Sequence, residues 1–400
     1  MKIFMPALGR VNTQNRDGSE VRTVELIRLW QAEGHQLSFF LPQRQARTFE
    51  SQGLKGLDYD FCLDSTESES EHLGNVLRIY GGRILRGLRH QFAKDIDVVY
   101  IPSDFLVDLL PGLRAAKQNP QARLVICLFL VAPVPWRGYE GHYSGKLKRP
   151  SLRGLIYYFT QRWAIRLIKR SGGVCLVLND QDRGEIIKAG VSPGAVFTVP
   201  MGVDVQRFAA IEPTPDTPGF EGIFVGRLHP QKGLPDLIEI WSRVVERNPE
   251  ARLAIIGGGS EEVKHWLDFE LKDRKLAKNV FPLGFVQGDE KVRLIKAAKV
   301  FLMPSHYESW GMTAVEAMAC GKPVVAYDLP VFKEVFPEAM IKVPYEDFDA
   351  FANKVQELLQ DANRYQAVVT QSLDFAPRYD WPKVAEYELK LMTGTDQGDR

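Results

Sequence analysis

A chain of 400 residues, 45% hydrophobic and 25% charged, is long enough for two domains that each bury a core. That composition excludes a collagenous, low-complexity or intrinsically disordered protein. The four cysteines, Cys62, Cys127, Cys175 and Cys320, show neither metal-ligand nor redox spacing, the pattern of free thiols in a reducing cytoplasm.

In chain order, strands and helices alternate throughout, and no internal repeat stands out beyond this α/β periodicity. Residues 2–6 read as a first strand, not a signal peptide, because no long apolar stretch and no small-residue cleavage site follow. A loop at Asp17-Gly18-Ser19-Glu20 leads to a helix over 20–33 and a strand over 36–41. The segment 67–71 is acidic and surface-like, and 117–120 is loop. Further strands are expected at 98–101, 124–129 and 174–178. The apolar run 124–134 is too short to span a bilayer and ends among Pro133 and Pro135. Residues 179–189 read as loop and helix, and 200–204 close this first series. The segment 212–219, with Pro213, Pro215 and Pro218, is a linker or exposed loop. A second strand-helix series runs from 222 to about 359, and an amphipathic helix over 381–392 ends the chain.

The chemistry concentrates in the second series. Glu308 and Glu316 lie eight positions apart around Ser309-Trp310-Gly311, after a buried strand at 300–303 and at the start of a packed helix over 312–319. Eight helical steps would separate the two carboxylates by roughly 80°, so Glu308 belongs to the loop and Glu316 to the helix. The helix start near Gly311, Met312 and Thr313 offers backbone N–H groups and a positive dipole end, which suit a phosphate. About eighty residues upstream, the strand 222–225 ends in Gly226-Arg227, and Lys232-Gly233 precede Pro235 at a first helical turn. Arg227 and Lys232 thus project from one strand-to-helix loop, where open α/β sheets bind ligands. Taken singly, each of these residues is more often a solvated surface charge; the combination is what carries the reading. Gly257-Gly258-Gly259-Ser260 lacks the full dinucleotide spacing and lies deep in the chain, which argues against an NAD site. A close approach of backbone to a nucleotide and a simple tight turn remain open for this run.

These residues resemble family 4 of the retaining glycosyltransferases, which have the GT-B architecture. The segments VPMGVDVQRF, VGRLHPQKG, AIIGGGS, PLGFV and ESWGMTAVEAMACGKPVVA match that family in order and spacing. Glu308 and Glu316 match its E-x7-E motif, and Arg227 with Lys232 its diphosphate-binding pair. The resemblance implies two Rossmann-like, doubly wound domains facing a central cleft. We expect an N-terminal acceptor-side domain over 1–205, a donor domain over 206–375, and a final helix over about 376–395 crossing back onto the first domain. It implies transfer of a hexose from a UDP- or GDP-linked sugar to a glycan or lipid-linked acceptor, with retention and without metal or other cofactor, in cell-envelope polysaccharide or glycolipid synthesis. Arg227, Lys232 and Glu308 would be catalytic. Gly18, Gly226, Phe285, Gly311, Met312, Thr313 and Glu316 would bind the donor, with Glu316 on the ribose and Phe285 near the base. Many members also carry a histidine after a central strand of the first domain; this chain reads Cys127-Leu128-Phe129-Leu130 there, and His142 is the nearest histidine. A nucleotide-sugar epimerase on the same fold, a non-catalytic nucleotide-binding module at a membrane, and a glycosidase are the alternatives. The paired cations and the lack of a secretion signal argue against the last.

The near-zero net charge conceals a division. Residues 1–205 hold 27 basic and 20 acidic side chains, leaving 24 and 30 for 206–400. From 141 to 179 there are eight basic residues (Lys146, Lys148, Arg149, Arg153, Arg162, Arg166, Lys169 and Arg170) and no acidic one before Asp180. Tyr157, Tyr158, Phe159 and Trp163 are interleaved with them. A second acid-free run carries Arg78, Arg83, Arg86, Arg89 and Lys94. Basic helices with aromatic edges suit anionic headgroups or an anionic acceptor. Simple packing of a helix in the first domain accounts for about half of the aromatic signal. No nucleic-acid-binding module accompanies the charge. The expectation is therefore a cytoplasmic protein, peripheral on the inner face of the membrane through 146–170.

Overall fold

The computed structural model describes residues 1–9, 18–62, 73–138, 147 and 149–394. Asp17, the segment 67–71, His142, Lys146 and Lys148 lie outside the described residues. Two compact units emerge. Among the described residues, one is built from the chain up to Gly138, residues 149–201 and the final helix, and the other from Leu147 and Gly202–Asp380. The division therefore falls at 201/202 and 380/381, not at 205/206 and 375/376. Residues Ala376–Tyr379 form a 3-10 turn that stays with the second unit, and the final helix begins only at Trp381.

The first unit carries a sheet of seven strands: β1 (Lys2–Pro6), β2 (Gln36–Leu41), β3 (Asp58–Phe61), β4 (Val98–Ile101), β5 (Arg123–Cys127), β6 (Val174–Val177) and β7 (Val196–Thr198). Their order is β3-β2-β1-β4-β5-β6-β7, parallel throughout. Parallel pairing needs crossover helices on the faces, so the central strands are apolar on both sides; β4, Val-Val-Tyr-Ile, is buried at every position. The helix Gly18–Ala32 follows β1, starting two residues earlier than its apolar pattern indicates. The longest helix, Leu152–Ser171, is bounded as its sequence dictates. Ser151 accepts the Gly154 N–H at its start, and Gly172 closes it with φ 67°. The last helix, Trp381–Thr393, packs on Gly18–Ala32 and β5.

The second unit carries β8 (Phe220–Val225), β9 (Leu253–Ile256), β10 (Val280–Gly284), β11 (Ala298–Met303), β12 (Val324–Tyr327) and β13 (Ile341–Val343). The order β10-β9-β8-β11-β12-β13 is again wholly parallel. Gly222 lies under the buried Trp241 of the helix Leu234–Arg247. A Cβ at 222 would stand 2.6 Å from the indole, so glycine there lets this helix settle on the middle of the sheet. All four cysteines are buried thiols. Among the described residues, no helix is long and apolar enough to cross a membrane.

Candidate active site

In the second sheet the chain moves outward from β8 through β9 to β10, then returns to lay β11 on the other side of β8. The order reverses between β8 and β11, and parallel strands diverging in this way leave a crevice beyond their carboxyl ends. Gly226 and Arg227 follow β8 directly, and Glu308 through Thr313 follow β11. Residues 76 or more positions apart in sequence are thereby brought to one place.

Local chemistry shapes the β8 loop. His229 Nδ1 accepts the Gln231 N–H at 3.0 Å, Pro230–Lys232 make a 3-10 turn, and Gly233 turns the chain with φ 70° into the helix started by Leu234-Pro235. A Cβ on Gly233 would lie 1.7 Å from the carbonyl oxygen of Pro304, so only glycine lets this loop close onto the one after β11. Two hydrogen bonds join the loops: the His306 N–H donates to the Gln231 carbonyl at 2.9 Å, and the Gln231 side-chain amide donates to the Tyr307 carbonyl at 3.3 Å. Lys232 Nζ then meets Glu308 Oε1 at 2.7 Å, with the carboxylate 7% exposed and the ammonium 21%.

Under this pair lies a buried polar cluster. The Tyr327 hydroxyl donates to Asp236 Oδ2 at 2.7 Å, His306 Nε2 stands 3.4 Å from Asp236 Oδ1, and His306 Nδ1 lies 2.5 Å from the Tyr345 hydroxyl. Burial, and then Asp236, raise the Tyr327 phenol far above its ordinary range, so it stays protonated as the donor.

The β11 loop is pinned by aromatic packing. Trp310 is buried against Tyr379, ring centroids 4.8 Å apart, and Phe336 at 5.4 Å. Gly311 takes φ 104° and caps the helix Met312–Ala319, and a Cβ there would press on the Phe332 ring at 3.0 Å. Met312 and Thr313 are the first helical residues, half-buried, with N–H groups that have no partner within a helix. They sit at the positive end of the helix dipole. Glu316, one turn on, is buried, and both its oxygens accept from Lys291 Nζ, at 2.7 and 2.8 Å. Cys320 lies a turn beyond; burial, and then Glu316, push its thiol up to about 12.

Arg227 is exposed on its loop. The Gly226 N–H donates to the Ile256 carbonyl at 2.9 Å, and the Leu228 N–H to the Gly258 carbonyl at 2.8 Å. A Cβ on Gly257 would stand 1.8 Å from the Gly226 carbonyl oxygen. The glycine run 257–259 is thus explained by two protein loops touching; none of the three takes a positive φ and no turn is formed there. The Gly257 N–H also donates to the Gly284 carbonyl at 2.8 Å, which ties in the segment bearing the exposed Phe285.

The structure therefore brings Gly226, Arg227, Lys232, Glu308, Gly311, Met312, Thr313 and Glu316 to one switch point, with Phe285 just after the edge strand β10, two strands from β8. Gly18 is the first residue of the helix Gly18–Ala32 in the other unit and does not belong to this cluster. Lys291 is the residue that motif reading misses. One signal does mark it: it stands in the first turn of the helix Gly288–Ala297, where the dipole opposes a cation and a carboxylate partner is called for.

Two wholly parallel, doubly wound sheets built in this way are the GT-B architecture. Residues 212–372, within the second unit, match the family described as glycosyl transferases group 1. Over 208 residues the chain is 34% identical to phosphatidyl-myo-inositol mannosyltransferase of Mycolicibacterium smegmatis, covering 48% of this chain and 50% of that protein. Over 213 residues it is 29% identical to GDP-mannose:cellobiosyl-diphosphopolyprenol alpha-mannosyltransferase of Xanthomonas oryzae pv. oryzae, covering 52% and 55%. The chain thus spans about half the length of the curated relatives it matches. The fold extends further. The crystal structure of Anabaena Alr3699/HepE in complex with UDP-glucose superposes with a TM-score of 0.73 at 17% identity, over 98% of this chain and all of that one.

Proposed function

We propose that this protein transfers a hexose from a nucleotide diphosphate-sugar to a glycan or lipid-linked acceptor, with retention at the anomeric carbon. The observation that carries the reading is the convergence of Arg227, Lys232 and the amino end of Met312–Ala319 on one switch point beside two buried carboxylates. A diphosphate leaving group gathers negative charge as the glycosidic bond breaks, and fixed cations and N–H groups stabilise that charge without reorganising. These groups supply the positive charge expected of a metal in other transferases, which supports a metal-independent reaction with no cofactor. Glu308, oriented by Lys232, accepts hydrogen bonds from the sugar hydroxyls; Glu316 accepts those of the ribose.

A lipid-linked acceptor in envelope glycan or glycolipid synthesis fits the surface of Leu152–Ser171. Gln161, Ala164, Ile165 and Ile168 face inward, while Leu152, Phe159, Trp163, Arg166 and Arg170 form an exposed stripe at helical spacing. The aromatic residues divide: the Tyr157 hydroxyl donates to the Leu130 carbonyl at 3.4 Å and packs inward, whereas Phe159 is 64% exposed. A stripe with apolar rings near its start and cations toward its end suits an anionic membrane surface. The buried, reduced cysteines agree with a cytoplasmic location on the inner face of that membrane. The test is proton NMR of the product formed from UDP- and GDP-hexoses with and without EDTA. An axially linked product from an axially linked donor, unaffected by chelation, is expected. An inverted product, or loss of turnover with EDTA, would overturn retention or metal independence respectively.

A further inference from the structure

Resting on the reading of Glu316 as the ribose ligand, we infer that Lys291 is a positioning residue for nucleotide recognition, holding the Glu316 carboxylate in its ribose-accepting orientation. Three observations lead there. Lys291 Nζ lies 2.7 and 2.8 Å from the two Glu316 oxygens, a symmetric grip that fixes the plane of the carboxylate. The carboxylate is 9% exposed, and the ammonium, 21% exposed, reaches it from another helix across 25 positions of sequence. Lys291 also occupies the first turn of Gly288–Ala297, a placement its own helix opposes and the pair with Glu316 offsets.

The pair parallels Lys232 with Glu308, so each carboxylate in the crevice has its own lysine. Beside a diphosphate this matters. A Glu316 with no cation beside it would repel the ligand, whereas one held by Lys291 presents fixed acceptor oxygens to a hydroxyl. Each carboxylate oxygen has two acceptor sites, so the bond to Lys291 leaves room for a ribose hydroxyl on the same oxygen. Lys291 acts through Glu316, and its signature is discrimination between ribose and deoxyribose, which general loss of structure would not selectively erase.

The experiment is calorimetry with UDP and GDP and with their 2′-deoxy and 3′-deoxy counterparts, on the wild type, Lys291→Met, Lys291→Gln, Lys291→Arg and Glu316→Gln. A hydroxyl bonded to a charged partner separates ribose from deoxyribose by about tenfold or more in affinity. The wild type and Lys291→Arg should show this preference. Lys291→Met and Lys291→Gln should lose most of it while still binding, and Glu316→Gln should lack it. If both neutral Lys291 variants keep the full preference while Glu316→Gln loses it, the positioning role is wrong and the ribose assignment stands. If Glu316→Gln itself keeps the preference, the underlying reading falls.

Discussion

Glu308 and Glu316 are each paired with a lysine, but at different depths of the proposed ligand, and their variants should separate. Glu316→Gln should weaken UDP or GDP binding, because the ribose is present in the free nucleotide. Glu308→Gln should leave that affinity nearly intact and lower turnover, because its partner is the sugar. Calorimetry beside a transfer assay distinguishes the two, and equal loss of nucleotide affinity would refute the division. Gly233 offers a backbone test. With φ 70° and the Pro304 carbonyl 1.7 Å from any added Cβ, Gly233→Ala must push the two site loops apart. Both the melting temperature and nucleotide binding should fall, as scanning calorimetry and titration would show. In the first unit, burial raises Asp104 to about 6 although Gln161 donates to it at 2.8 Å. Its ordinary value is 3.8, so between about pH 4 and 6 the native state retains a proton that the unfolded chain releases, and stability falls as pH rises. Asp104→Asn removes that loss. It should melt above the wild type at pH 7, with the gap narrowing toward pH 4.5.

Among the elements, the strand-turn-helix units were the most legible part of the sequence. The run ending in Gly226-Arg227 and the carboxylate pair around Trp310-Gly311 announce themselves because glycine, proline and alternating small residues mark where backbone must turn and pack. The Lys291–Glu316 grip was not legible, since it depends on how the helix after β10 lies beside the helix after β11, which no local pattern encodes. For the glycine run at 257–259 the sequence left a close approach to a nucleotide and a tight turn both open; the group that stands against it is the Gly226 carbonyl, which no local pattern encodes. The helix Leu152–Ser171 read correctly as basic and aromatic. Only its packing shows that Tyr157 turns inward and that Phe159 and Trp163 reach solvent. If that stripe docks on lipid, the protein should co-sediment with anionic vesicles and not with neutral ones. Replacing Arg166 and Arg170 with Ser should reduce binding at low salt, where screening is weak. Replacing Phe159 and Trp163 with Ser should instead remove the fraction that persists at high salt. Wild-type protein that ignores anionic vesicles at low salt would exclude the membrane surface.

At the scale of the whole molecule, the doubly wound character of both units follows from the repeated strand-helix alternation, and it was readable. What joins distant parts of the chain within a unit was not. Arg22, in the helix after β1, is fully buried in an ion pair with Glu388 of the final helix. The Tyr100 hydroxyl on β4 also donates to Glu388, at 2.5 Å. The two partners lie 366 positions apart, and each alone resembles an ordinary surface charge on an amphipathic helix. Removing one leaves the other buried and unpaired, so Arg22→Met should destabilise the first unit by about 3–5 kcal/mol in denaturant titrations. Nucleotide affinity, which the proposed function assigns to the second unit, should be little changed.

The central claim is that the β8–β11 switch point receives the diphosphate of a nucleotide-sugar and stabilises its departure. It is tested most directly by measuring release of UDP or GDP from a panel of nucleotide-sugars by the wild type, Arg227→Ala and Lys232→Ala, with folding checked by circular dichroism. One fixed cation facing a developing anion contributes about 2.7–4 kcal/mol, so each variant should release the diphosphate roughly a hundred- to a thousand-fold more slowly. Folded single variants that both turn over near the wild-type rate would contradict the account.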